Sequence, residues 1–477
     1  MKGLLYINGK WEEPVQGRYF PSYNPATGEP IGEAADGTQA DAKRAIDAAA
    51  AAFPAWSQMT ALERADLMMN CYNRINEQFD ELAEILTTEQ GKPLQEAKNE
   101  LIYANSFFRW FAEEARRIYG DTVPANSKDK RLFVIKQPVG VVAAISTWNF
   151  PQAMVTRKIA PALAAGCTIV VKPAKHTPLN AAALFRIFDQ VGFPPGVVNL
   201  ISTSSSKEVG EEFLTNPSVR KITFTGSTDV GKYLIKRSSE QVKKVSMELG
   251  GHAPFIIFAD ADLEDAVNGV IGSKFRNAGQ TCICANRVYV ERPVKEQFEA
   301  LLVQKVKGLT LGNGLDSNTT LGPLIDEGAV EKSQEHVLDA VSKGAKVLTG
   351  GKRAERPGQF FEPTILSDVD ENMLICNEET FGPVAPVMVF DTEDEVIARA
   401  NRVPYGLASY FYTQDLSRAF RVAEKLEYGI VGLNDPFPSV AQAPFGGVKE
   451  SGIGREGGKE GLDDFLETKY ISMKLNL

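Results

Sequence analysis

From residue 139 onward the chain alternates short, unbroken apolar runs with amphipathic stretches. VGVVAAIS, CTIVVKP, VVNLIS, KITFTG and KKVSMEL are separated by segments such as AAALFRIFDQVG and VGEEFLTNP. A Val/Ile run without polar alternation is a strand buried on both faces, and helices between such strands are what cover both faces of a parallel sheet. After Gly250 the alternation restarts in PFIIF, RVYVE, KVLTGG, VMVFD, SYFYT and IVGLN, divided by helical segments such as KEQFEALLVQKV and LSRAFRVAEKL. At 477 residues the chain is too long for one hydrophobic core. The pattern predicts a doubly wound α/β domain followed by a second α/β domain.

Roughly the first 120 residues read instead as helix-rich. ALERADLMMNCYNRINEQFDELAEILTTEQGK and PLQEAKNELIYANSFFRWFAEEARRIYG keep apolar residues at three-and-four spacing and stop at Gly91 and Gly120, which predicts two long amphipathic helices. RLFVIKQ (131 to 137) alternates apolar and polar residues outside either α/β block. It is either a surface hairpin or an edge that pairs with another subunit.

A net charge of −9, with Lys and Arg scattered, argues against nucleic acid or an anionic membrane as partner. MKGLLYINGKW has too short an apolar run for a signal peptide, and no stretch approaches the ~20 apolar residues of a membrane helix, so a cytoplasmic protein is expected. Five thinly spread cysteines are not a disulfide framework, and His176, His252 and His336 lie too far apart for a motif-built zinc site. No metal is expected.

Two glycine motifs need weighing. GIGREG (452 to 457) spells G-x-G-x-x-G but follows KES rather than a strand and leaves no room for the acidic residue about 20 positions on, so it reads as a turn. GSTDVGKY (226 to 233) follows the strand KITFT, yet Tyr233 stands where a phosphate loop needs Ser or Thr. What survives there is Gly226 and Ser227 at a strand-to-helix turn, with free N–H groups and a hydroxyl suited to a pyrophosphate.

FRNAGQTCICANR (275 to 287) places Cys282 and Cys284 behind a glycine and beside Arg276 and Arg287. The thiolate is the nucleophile, so activation needs a cation, a helix N-terminus or a base; from one cysteine alone, an inert buried thiol stays open. Asn149 in STWNFP and Glu248 in MELGG each end a predicted strand, where α/β folds bind ligands.

WNFP, FTGS, MELGGHAP, FRNAGQTC and EETFGPV, in this order and at these separations, resemble the signature set of the aldehyde dehydrogenase superfamily. The likeness runs from YINGKW and NPATGE to PFGGVKESGIGREGG. It implies a Rossmann-type cofactor domain (1–119 and 139–249), an α/β catalytic domain (250–448) and a small β oligomerisation arm (120–138 and 449–477). It also implies a homodimer or homotetramer. Cys282 resembles the nucleophile, Asn149 the oxyanion donor and Glu248 the base that activates water. Lys172, Gly226, Ser227, Glu379, Phe381 and Trp148 resemble the cofactor contacts. Lys175 stands where NAD-preferring relatives often carry a glutamate, so NADP is expected to be accepted and even preferred over NAD.

Within the superfamily the chain is similar to the succinate-semialdehyde dehydrogenases at AMVTRK, FRNAGQTCICANR and LEYGIVG to PFGG. That likeness implies Arg157, Arg276 and Ser439 as the site of a substrate carboxylate, for which a planar guanidinium fork is suited. Glutarate semialdehyde is the alternative, because NDPFPSV (434 to 440) follows no fixed pattern. An acyl-CoA-forming dehydrogenase or a non-catalytic binding protein of this fold are further alternatives. Cys284 is a candidate redox partner for Cys282.

Overall fold

The computed structural model describes residues 1–476. Its first sheet has eight strands, with a parallel centre in the order Lys244–Glu248, Val219–Thr225, Val141–Ile145, Thr168–Lys172, Val198–Leu200. Side chains alternate between two cores, as a doubly covered sheet requires. Val142, Ala144, Ile169 and Val171 pack on one side, and Val141, Ala143 and Val170 on the other. Gln39–Gln58, Ser206–Thr215 and Thr228–Ser238 cover the second side; Ala61–Glu77, Leu94–Ala115, Ala153–Ala165 and Pro178–Val191 cover the first.

The second sheet has seven strands: Lys346–Thr349, Thr364–Ser367, Val384–Phe390, Ala285–Glu291, Ala253–Ile257, Ala408–Tyr412 and Ile430–Leu433. All neighbours are parallel except at the Lys346–Thr349 edge. The architecture is the α/β one that the apolar alternation predicts.

Four local expectations change. The segment from Ala61 to Gln90 is two helices, Ala61–Glu77 and Phe79–Gln90, because Gln78 leaves helical geometry at φ −109° and ψ 21°. The N-terminus is not purely helical: Leu5–Ile7 and Lys10–Glu12 extend the first sheet antiparallel. Segment 131–137 is not an isolated hairpin but the middle, Lys130–Pro138, of a three-stranded antiparallel sheet between Leu466–Lys474 and Asp121–Val123. GIGREG is not only a turn, since Gly452–Ile453 pairs antiparallel with Lys244–Glu248 and closes the edge of the first sheet. Among the described residues no helix is long and apolar enough to cross a membrane.

Candidate active site

Parallel strands bring their carboxyl ends to one edge, and most of the predicted residues stand there. Lys172 and Glu248 are the last residues of their strands; Gly226 and Ser227 follow Val219–Thr225, and Trp148 and Asn149 follow Val141–Ile145. Of these, all but Glu248 border a cavity of about 920 Å³ that Cys282, Lys175, Glu379 and Phe381 also line; Arg157, Arg276, Ser439 and Cys284 likewise lie outside its lining.

The cavity presents charged groups with free hydrogen-bonding capacity. Lys172 is buried, its Nζ donates only to the Pro173 carbonyl at 3.3 Å, and burial pushes it down to about 8. Desolvation pushes Glu379 up to about 7. Ser227 caps the helix Thr228–Ser238 without a side-chain capping bond, which leaves its hydroxyl for a ligand. Phe381, held in the left-handed region at φ 54°, meets Trp148 edge-on with ring centroids 5.6 Å apart. Lys175 is exposed at the rim; its neighbour His176 reaches across to Asp326 at 3.3 Å.

Cys282 follows Asn277, Ala278 and Gly279, all with positive φ. The glycine is required at the third, where a Cβ would sit 2.2 Å from the Gly382 carbonyl. Gly251, at the end of MELGG, lies against the Cys282 carbonyl, so the Glu248 turn and the cysteine loop pack backbone to backbone. Burial and then the Glu248 charge push the thiol up to about 12, and Arg157 and Arg276 offset this only in part. The expected activation by Arg276 is therefore outweighed: the resting thiol is protonated.

Asn149 is fixed on every side. Its Nδ2 donates to the Gln280 carbonyl at 3.0 Å, its Oδ1 accepts from Thr147 at 2.5 Å, and its carbonyl accepts from Lys92 Nζ at 2.8 Å and Asn277 Nδ2 at 2.9 Å. Lys92 is in turn paired with Glu100 at 2.6 Å, both buried.

Arg157 differs from its predicted placement. Its Nη2 donates to Glu248 Oε2 at 3.2 Å, its Nε pairs with Glu456, and its guanidinium lies 4.1 Å from the Phe445 ring centroid. With 1% of its surface exposed, it serves two buried carboxylates rather than standing open to a ligand. Burial pushes Glu248 up, against the pull of Arg157. Burial also opposes ionisation of Glu456, yet Arg157 and Lys158 hold it low. Sequence reasoning missed Glu456 and Lys158. The available signal was two consecutive cations in AMVTRKIAPALAA, a segment otherwise apolar enough to be buried, which demands buried anions.

Arg276 and Ser439 are half-buried. Glu379 Oε1, Glu248 Oε1, Arg276 Nε and Ser439 Oγ are shielded from solvent and find no hydrogen-bond partner among the described residues. Cys284 is buried with Sγ 3.7 Å from the Lys274 carbonyl, and it is a free thiol like Cys282. A bond between the two would require it to leave this seat. Among the described residues no group of three or more His, Cys, Asp or Glu is placed to hold a metal ion.

The aldehyde dehydrogenase family model matches residues 11–471. The NADP(+) succinate-semialdehyde dehydrogenase of Escherichia coli is 55% identical over 98% of this chain and 97% of its own. The glutarate-semialdehyde dehydrogenase of Pseudomonas putida is 55% identical over the same shares. The crystal structure of succinate-semialdehyde dehydrogenase from Burkholderia pseudomallei superposes with a TM-score of 0.98 at 49% identity, covering 99% of this chain and 98% of that one. Likeness of this extent, in a chain whose Asn149 and Cys282 line one cavity, means that the chain belongs to the aldehyde dehydrogenase family.

Proposed function

We propose that this protein oxidises succinate semialdehyde, or the closely related glutarate semialdehyde, to the carboxylic acid with NADP, and with NAD less well. The observation that carries the substrate class is Arg276, a half-buried cation whose Nε finds no partner among the described residues; Ser439 Oγ is equally unpartnered. A buried donor without a partner is costly, and a substrate carboxylate removes that cost. Arg157 adds positive potential, but a carboxylate gains its Nη2 only in exchange with Glu248. The two semialdehyde dehydrogenases at 55% identity support the same class.

A nicotinamide dinucleotide fits the cavity by volume and by its donor set. Ser227 and the helix N-terminus behind it suit the pyrophosphate, the free Oε1 of Glu379 suits a ribose hydroxyl, and Lys172 suits the other ribose. Lys175 at the rim favours a 2′-phosphate. The bound ring supplies the two-electron acceptor. Cys282, partly open to the cavity, passes its thiol proton to solvent as its Sγ attacks the aldehyde carbon. Asn149 Nδ2 and the Cys282 N–H receive the oxyanion, one such donor contributing about 3 kcal/mol. After oxidation the acyl group is held on Cys282 as a thioester, and Glu248 takes a proton from the water that attacks it. The presence of this base supports hydrolysis over transfer to coenzyme A.

The strand Leu466–Lys474 lies at the open edge of its sheet and exposes Tyr470, Ile471 and Met473, which supports a homo-oligomer. The deciding experiment is steady-state kcat/KM for succinate semialdehyde, glutarate semialdehyde and butanal with each cofactor. Butanal turned over as efficiently as both semialdehydes would sink the carboxylate assignment.

A further inference from the structure

Arg276 is held between two aromatic rings. Its guanidinium carbon lies 5.5 Å from the Phe150 centroid and 5.5 Å from the Phe437 centroid. The Phe150 ring also carries the Lys92 ammonium, 3.9 Å from its centroid. Cations and rings therefore alternate along a chain of contacts: Lys92, Phe150, Arg276, Phe437. The inner end is anchored by the Glu100 ion pair and by the bond from Lys92 to the Asn149 carbonyl.

The outer end is anchored differently. Phe437 is 51% exposed, so the hydrophobic core does not explain where its ring sits. Local geometry does: Pro436 and Pro438 restrict the backbone on both sides, and the Phe437 N–H donates to Asp435 Oδ1 at 2.8 Å. The ring rests on the helix Leu263–Lys274 at Gly272, where a Cβ would sit 2.5 Å from its Cζ. A stiff loop thus presents a half-exposed ring to one face of Arg276.

A guanidinium between two faces keeps its N–H fork in the plane between them, and stacking on a ring leaves those donors free. We propose that Phe437 is a specificity-determining residue: as the outer plate of this clamp it fixes the plane and reach of Arg276. The span from Cys282 to the carboxylate anchor, and hence the preferred length of the ω-carboxyl aldehyde, follows from it. The inference rests on the substrate class proposed above. Phe437 acts through Arg276 and is a positioning residue.

The test compares wild type with Phe437→Ala, Phe437→Leu and Phe437→Tyr on succinate semialdehyde, glutarate semialdehyde and butanal. Phe437→Ala is expected to raise KM for succinate semialdehyde about 3- to 30-fold, the range of a cation–π contact. Its kcat should stay within about twofold, glutarate semialdehyde should lose less, and butanal should be unaffected. Phe437→Tyr, which keeps a π face, restores the wild-type ratio between the semialdehydes; Phe437→Leu, which only fills volume, does not. Should the alanine variant fail to fold, the Leu and Tyr pair carries the comparison. Equal KM changes for all three aldehydes, or full restoration by leucine, overturns the clamp. A wild type that prefers butanal overturns the substrate class itself, a separate outcome.

Discussion

Glu248 and Cys282 both resist ionisation, the carboxyl because it is buried beside Glu456 and the thiol because it is buried beside Glu248. Each works in its deprotonated form, so both shifts act with the same sign: the active fraction grows as pH rises. kcat/KM is expected to increase steadily from pH 6.5 to 9, as followed by reduced-cofactor absorbance; a maximum below pH 7 would contradict this. Glu248→Gln should leave a burst of about one cofactor per site and then stall, since acylation needs no general base at this position and hydrolysis does. At the rim, Lys175→Glu replaces attraction for a 2′-phosphate with repulsion. Because the site is solvent-screened, the expected loss in kcat/KM with NADP is about tenfold, with NAD retained. An unchanged NADP to NAD ratio would assign Lys175 to the solvated surface.

The helix Ala153–Ala165 is buried along its whole length and still carries Arg157 and Lys158. Glu456 answers both cations and Glu248 answers one. Removing one member of a buried ion network strands the others, so Glu456→Gln should destabilise the protein by about 3 kcal/mol in urea unfolding, where a surface pair would contribute under 1 kcal/mol. This element also shows what the sequence could convey. The strands were legible because Val and Ile runs carry their own burial signal, and Asn149, Glu248 and Cys282 were legible through motifs that resemble a family. Glu456 was not, because its role depends on a partner 299 positions away, which no local pattern encodes. Gln78 was equally hidden: its residue type is compatible with a helix, and no local pattern marks the break. Arg157 was legible as a functional cation, but its commitment to Glu248 and Glu456 appears only once the chain is folded.

Taken whole, the molecule joins its two α/β sheets by segments that cross back. The tail contributes Gly452–Ile453 to the first sheet, Glu456 to the buried network of Arg157 and Lys158, and Leu466–Lys474 to the separate three-stranded sheet. The last strand offers an unpaired edge with Ile471 exposed, so Ile471→Asp should shift the oligomer toward monomer in light scattering while the melting curve of the protomer stays cooperative. An unchanged mass would place the contact elsewhere. Glu456 also sets a schedule. A ribosome extends the polypeptide from its amino end, and Arg157 and Lys158 emerge long before the anion that neutralises them. Until that late carboxylate arrives, Lys158 has no ion-pair partner and Arg157 has only Glu248, so burying the helix Ala153–Ala165 stays costly.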